Sequence, residues 1–149
     1  MSVEQNQGSD PMVVGRNFLM AVYEGDPGAL WEAFSGNARK FIVARGIRRG
    51  MPEELGGALL SDTADVLDHV EFLADLLGGI EKDLANVNLS RIVMDEDMDR
   101  IDEGRVRVRY LERFTVEVGP PLDPLPVGSL ELVEEQGVWR VDRLIPRPG

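Results

Sequence analysis

Apolar positions change their spacing a little past the middle of the chain. Up to about residue 84 they recur every three or four residues, and beyond it every second one. The first spacing lines one face of a helix and the second lines one face of a strand. Asp10-Pro11 opens the first helix. The aspartate is a good N-cap, and a proline at the first helical position loses no hydrogen bond. Val14, Phe18, Ala21 and Val22 follow at helical spacing, and Gly25 ends the run. Asp26-Pro27 repeats the signal for a second helix carrying Leu30, Trp31 and Phe34. Ser35 is placed to cap a third through Ala38, Phe41 and Ile42. Residues 40–47 also fit a short strand. Helix is preferred, because Arg39, Lys40, Arg45, Arg48 and Arg49 then lie largely on an exposed side. Met51 to Glu54 opens a short further helix. Ser61 or Asp62 is expected to cap a long one, whose apolar stripe is Val66, Val70, Leu73, Leu77, Ile80 and Leu84. Gly78-Gly79 is expected to kink or end it.

The second half predicts strands. Asn88 to Met94 is a first, weakly patterned one. Val106, Val108, Tyr110, Phe114, Val116 and Val118 share one parity, and Arg105, Arg107, Arg109 and Arg113 share the other, which predicts a long strand with one wet face. Gly119 to Pro126 reads as a stiff proline-rich loop between strands. Gly128 to Glu134 and Val138 to Ile145 follow, joined by a tight turn at Gln136-Gly137. Trp139, Val141 and Ile145 are expected on one face, with Glu131 and Arg140 pairing across the hairpin. Helices first and strands second predict an α+β fold: N-terminal helices packed on a curved C-terminal antiparallel sheet of about four strands, with a cavity between them. Residues 1–9 read as a disordered tail before a single domain spanning 10–149.

Charge narrows the partners. Sixteen basic against 27 acidic residues leave −11 at neutral pH in 149 residues. Phosphate binding needs local positive charge, so nucleic acid and anionic membranes are disfavoured. The absence of cysteine excludes disulfides, thiolate zinc and a cysteine nucleophile. One histidine, His69, excludes histidine-rich metal sites, and no cofactor is implied. Residues 1–9 lack the apolar core of a signal peptide, and charges interrupt the apolar runs, so a soluble cytoplasmic protein is the expectation.

The opening helix, the Gly25-Asp26-Pro27-Gly28-Ala29-Leu30-Trp31 start of the second, and the closing Gly137-Val138-Trp139-Arg140-Val141-Asp142 strand resemble the nuclear transport factor 2-like superfamily, also called SnoaL-like or cystatin-like. The resemblance implies a cone-shaped α+β domain. Helical material at 35–60 stands where the usual layout has early strands. Members include ketosteroid isomerases, scytalone dehydratase, limonene epoxide hydrolase and many non-catalytic binders, so the fold does not select an activity.

Tyr23, Trp31, Tyr110, Glu112 and Trp139 are the candidate lining of a pocket for a small hydrophobic ligand. Glu112 carries the inward parity of its strand, and an inward carboxylate could act as an acid or base. Leu111 breaks the wet face at the same spot, so a bulge that turns Glu112 outward is the preferred alternative. For both tryptophans plain core packing is the simpler reading. His69 lies four residues after Asp65, and a surface pair is preferred to a catalytic one. Asp95 to Asp99 has the acidic start of a calcium loop, but Arg100 and Val106 stand where glycine and glutamate are needed, so a solvated acidic loop is expected. The arginine face has no interleaved aromatics for stacking nucleic acid, and its charges are expected to meet acids such as Glu131 or a partner subunit in a sheet-to-sheet homodimer. A non-catalytic module binding a small ligand or a protein is the favoured function. A cofactor-free isomerase, dehydratase or epoxide hydrolase is the alternative, and a scaffold with a filled core and an exposed apolar patch is the third reading.

Overall fold

A computed structural model describes residues 10–113 and 123–146. Five helices come first: α1 (Pro11–Glu24), α2 (Pro27–Ala33), α3 (Gly36–Arg48), α4 (Glu53–Leu60) and α5 (Val66–Asp83). A 3-10 turn at Leu89–Arg91 leads into β1 (Ile92–Asp102), β2 (Arg105–Glu112), β3 (Leu125–Glu135) and β4 (Val138–Pro146). The strands form one antiparallel sheet in chain order. The fold is α+β, with the helices N-terminal and the sheet C-terminal.

The helix starts follow the local chemistry. Asp10 accepts from the Met12 N–H at 2.9 Å, Asp26 from Ala29 at 3.2 Å and Ser35 from Ala38 at 3.0 Å. Each satisfies an orphan donor of a first turn. Gly25 closes α1 in the left-handed region at φ 71°. Residues 36–48 are helical, which decides against the strand reading. Lys40, Arg45 and Arg48 stand on the wet side of α3, while Arg39 folds back over the Trp31 ring. The long helix starts later than expected. Ser61 bonds back to the Gly57 carbonyl at the end of α4, and Asp65, without a side-chain cap bond, precedes α5. Gly78-Gly79 does not end α5, which continues to Asp83.

Three strand boundaries differ from expectation. Asn88 to Arg91 is a turn, with the Asn88 side chain accepting from the Ser90 N–H at 3.1 Å. The first strand therefore begins at Ile92, and the acidic run Asp95 to Asp99 lies inside it, not in a loop. The ladder with β2 is interrupted between Met94 and Met98, and the run is tied to β2 through Arg109, which bonds Asp95 and Asp99, with Asp99 itself paired to Arg107. Leu125 and Pro126 belong to β3, where Pro126 sits opposite Leu111 at a bulge that tolerates its missing N–H. Phe114, Val116, Val118, residues 119–122 and the tail 1–9 lie outside the described residues.

A second bulge corrects the last hairpin. Leu132 faces Val141, but Glu131 faces Arg143, which leaves Asp142 as the extra residue. The parity of β4 flips there. Leu144 joins the core opposite Leu130, and Ile145 sits opposite Ser129 on the other face. Glu131 therefore meets Arg143 and not Arg140, whose guanidinium donates to the Glu32 carbonyl. The Gln136-Gly137 turn is as expected, with both residues at positive φ, 54° and 82°.

One core joins the layers. Phe18, Leu19 and Val22 of α1, Leu30 and Trp31 of α2, and Phe34 pack against Val106, Val108, Tyr110, Leu130, Leu132 and Val141. Phe18 and Phe34 meet edge to face at 5.3 Å. Gly15 lets α1 approach the sheet, since a Cβ there would touch Leu130 and Met94 at 3.3 Å.

Candidate functional site

Strand β2 keeps strict alternation, with Val106, Val108, Tyr110 and Glu112 all buried. The bulge foreseen near Leu111 exists, but its extra residue is Val127 on β3. The parity of β2 is therefore unbroken, and Glu112 faces inward at 9% exposure. This overturns the preferred outward placement. The Glu112 carboxylate is not free: Oε1 accepts from the Asn88 N–H at 2.7 Å and so anchors the turn before β1.

Tyr110 is fully buried, two residues before Glu112 on the same face. Its ring and oxygen lie directly over Gly128, where any Cβ would overlap both. The hydroxyl has no hydrogen-bond partner among the described residues. Burial, and secondarily the negative charge of Asp83, push the phenol up to about 12.

The other three candidates lie apart. Tyr23 is exposed at 55% and borders an open surface depression shared with Glu81, Leu84, Asn88 and Leu89. Trp31 is a core residue, edge to face with Phe72 at 5.1 Å and covered by the Arg39 guanidinium. Trp139 is half-buried at the flank of the core, opposite Glu134. The structure thus brings Tyr110 and Glu112 together, links them through Asn88 to the depression beside Tyr23, and leaves both tryptophans out of it. A second open depression lies at Arg16, Met20, Glu24 and Ala29. Between helices and sheet, where a cavity was expected, side chains such as Tyr110 and Leu130 pack to complete burial.

The arginine face is occupied by its own acids. Arg107 donates to Glu131 at 3.1 Å, and Arg143 approaches the same carboxylate at 3.6 Å. Arg109 bonds Asp95 at 3.0 Å and also Asp99. The Asp97 N–H and then Arg109 hold the Asp95 carboxyl below its usual range, while Asp95 and Asp99 raise Arg109. Arg105 donates to Asp142 at 2.8 Å, which raises its own value. The other Asp142 oxygen accepts from the buried Ser35 hydroxyl at 2.7 Å. Ser35 therefore caps α3 and ties it to β4 at once. Its capping role was readable locally; its partner 107 residues away was not.

His69 and Asp65 share only the backbone bond of a helix turn, from the His69 N–H to the Asp65 carbonyl. No side-chain bond joins them among the described residues, so the expected surface pair is absent there. No group of three or more His, Asp or Glu among the described residues is arranged to hold a metal ion. No described helix is long and apolar enough to cross a membrane.

Sequence reasoning missed one surface. The apolar stripe of α5 predicts Val66 and Val70 as buried, yet they stand in solvent at 73% and 59% exposure, with Leu67 between them at 77%. The stripe is buried only at Leu73, Ile80 and, just beyond the helix, Leu84. Helix α5 packs chiefly on α2, and its first turn has no cover among the described residues. Phe41 on α3 is likewise 63% exposed.

The chain matches no known protein-family model, and no curated protein matches it significantly.

Proposed function

We propose that this chain is a non-catalytic module that binds another protein chain. The observation that carries the reading is the bare apolar first turn of α5. Val66, Leu67 and Val70 are adjacent on the helix surface, and all three stand mostly in solvent. Single exposed apolar residues are ordinary, but three contiguous ones suit a surface that is covered in use. The complete burial of Tyr110 and Leu130 between helices and sheet supports the same reading over an internal small-ligand pocket.

The enzymatic alternative has less support. An acid–base site needs convergent polar groups open to a substrate. The Glu112 carboxylate is engaged by Asn88, and the Tyr110 hydroxyl is sealed against Gly128. The proposed kinship with the nuclear transport factor 2-like superfamily rests on the order of elements, helices and then an antiparallel sheet, and is compatible with a binding role. A soluble cytoplasmic location belongs to the same proposal.

Photo-crosslinking in the native cell tests the reading. A crosslinker at Leu67 should yield a discrete protein adduct, and one at the exposed β1 residue Glu96 should not. Val70→Lys should abolish the adduct. Equal labelling from both positions, or none from Leu67, would overturn the proposal.

A further inference from the structure

Two exposed surfaces carry opposite charge, one with three apolar residues and one with a single phenylalanine. The first is the start of α5: Val66, Leu67 and Val70 with Asp65, Asp68 and Glu71 around them, all exposed. The second is the wet face of α3. Phe41, Arg45 and Arg48 follow at spacings of four and three and so share that face, with Lys40 alongside. These basic residues are conspicuous in a chain of net charge −11. Lys40, Arg45 and Arg48 form no ion pair among the described residues, unlike Arg105, Arg107 and Arg109 on the sheet. The two patches do not satisfy each other within one chain, because α3 packs on α4 and β4 whereas α5 packs on α2 and α1.

We propose that a second copy of this chain covers both patches, with the α3 face of each copy on the α5 start of the other. This rests on the reading of the α5 turn as a docking surface and names its occupant. A two-fold axis makes the contact twice, so one interface covers all four patches. Phe41 meets Val66, Leu67 and Val70, while Arg45 and Arg48 meet Asp68 and Glu71. Like-to-like pairing of two α5 turns would set acid against acid, which costs affinity. Pairing through the sheet face has less to offer, because the charges of Arg107, Arg109, Glu131 and Arg143 are already matched within the chain.

Native mass spectrometry and light scattering on the full chain test the proposal. Wild type should be a dimer that weakens as salt is raised. Phe41→Glu and Leu67→Lys should each be mostly monomeric, with dissociation constants raised at least tenfold. Mixed together they should form a heterodimer, because one of the two contacts is then fully wild type and the other sets glutamate against lysine. A wild-type monomer at every concentration overturns the proposal, as does a dimer indifferent to both substitutions or one broken by Arg107→Glu. The crosslink separates this failure from that of the wider reading. A monomer whose Leu67 adduct has some mass other than twice the chain's retains the docking surface and loses only the self-pairing. A monomer with no such adduct loses both.

Discussion

Tyr110 buries a hydroxyl that has no hydrogen-bond partner among the described residues. A buried donor without a partner costs about 1–3 kcal/mol relative to one that stays in water. Tyr110→Phe deletes only that oxygen and keeps the ring over Gly128, so it should raise stability by up to about 1–3 kcal/mol in denaturant titration. The hydroxyl also makes stability depend on alkaline pH. The native phenol ionises at about 12 and the unfolded one near the ordinary 10.0. Between those values the unfolded chain holds fewer protons, so stability falls as pH rises through this window. The variant should lose that part of the decline in melts taken across it. Glu112 is the opposite case, a buried carboxylate whose partner is present. Glu112→Leu strands the Asn88 N–H and should cost about 1.5–3 kcal/mol. Glu112→Gln keeps an acceptor and should cost distinctly less. Equal losses would show that the Asn88 bond does not matter. Strand parity offered the inward placement of Glu112, but the break at Leu111 favoured the outward one, and the structure decided for the inward. The location of the bulge was not legible, because a bulge on β3 leaves no mark on the sequence of β2.

Helix α5 shows how far an element can be read from its own residues. Its periodicity specifies a helix with one apolar stripe, and that much is realised at Leu73 and Ile80. Periodicity does not say whether every turn of the stripe finds a neighbour, and at Val66 and Val70 none covers it among the described residues. The glycine pair inside α5 misled for a related reason. Glycine lowers helix propensity, but tertiary packing on either side carries the helix through it. A Cβ at Gly78 or Gly79 would meet open space, and neither residue has positive φ. Gly78→Ala and Gly79→Ala should each stabilise by about 0.5–1 kcal/mol, read as a raised melting temperature. A loss would mean that α5 breaks there after all. The start of α3 carries the reverse expectation. Ser35→Ala removes an N-cap and the donor to Asp142 together, and should destabilise by about 1–2 kcal/mol.

At the scale of the whole molecule, charge is organised by face. The outer sheet face pairs its arginines with its acids, whereas Lys40, Arg45 and Arg48 on α3 are exposed and form no ion pair among the described residues. The sheet pairs have a pH signature. Asp95 titrates below its ordinary value because the Asp97 N–H and Arg109 favour its charged form. Its contribution is therefore complete above the unfolded carboxyl value of 3.8 and is lost as pH falls through the lower native one. Asp95→Asn should flatten the acid limb of the stability curve slightly, since a solvent-screened pair contributes little.

The sequence by itself determined the fold class, the helix starts at Asp10, Asp26 and Ser35, the alternation of β2 through Val106, Val108 and Tyr110, and the Gln136-Gly137 turn. Each of these follows from interactions within a few residues: a cap reaching the next turn, a two-residue side-chain alternation, a pair of positive-φ positions. Tertiary structure alone decided that the acidic run Asp95 to Asp99 is a strand, that Asp142 bulges out and hands Glu131 to Arg143, and that Ser35 is tied to Asp142. It also decided that Tyr110 is completely buried over Gly128, and that Val66, Leu67 and Val70 at the start of α5 stand mostly in solvent. These depend on what lies across the fold, because pairing partners, burial and free surface belong to the packing of distant segments and leave no periodic trace in any one of them.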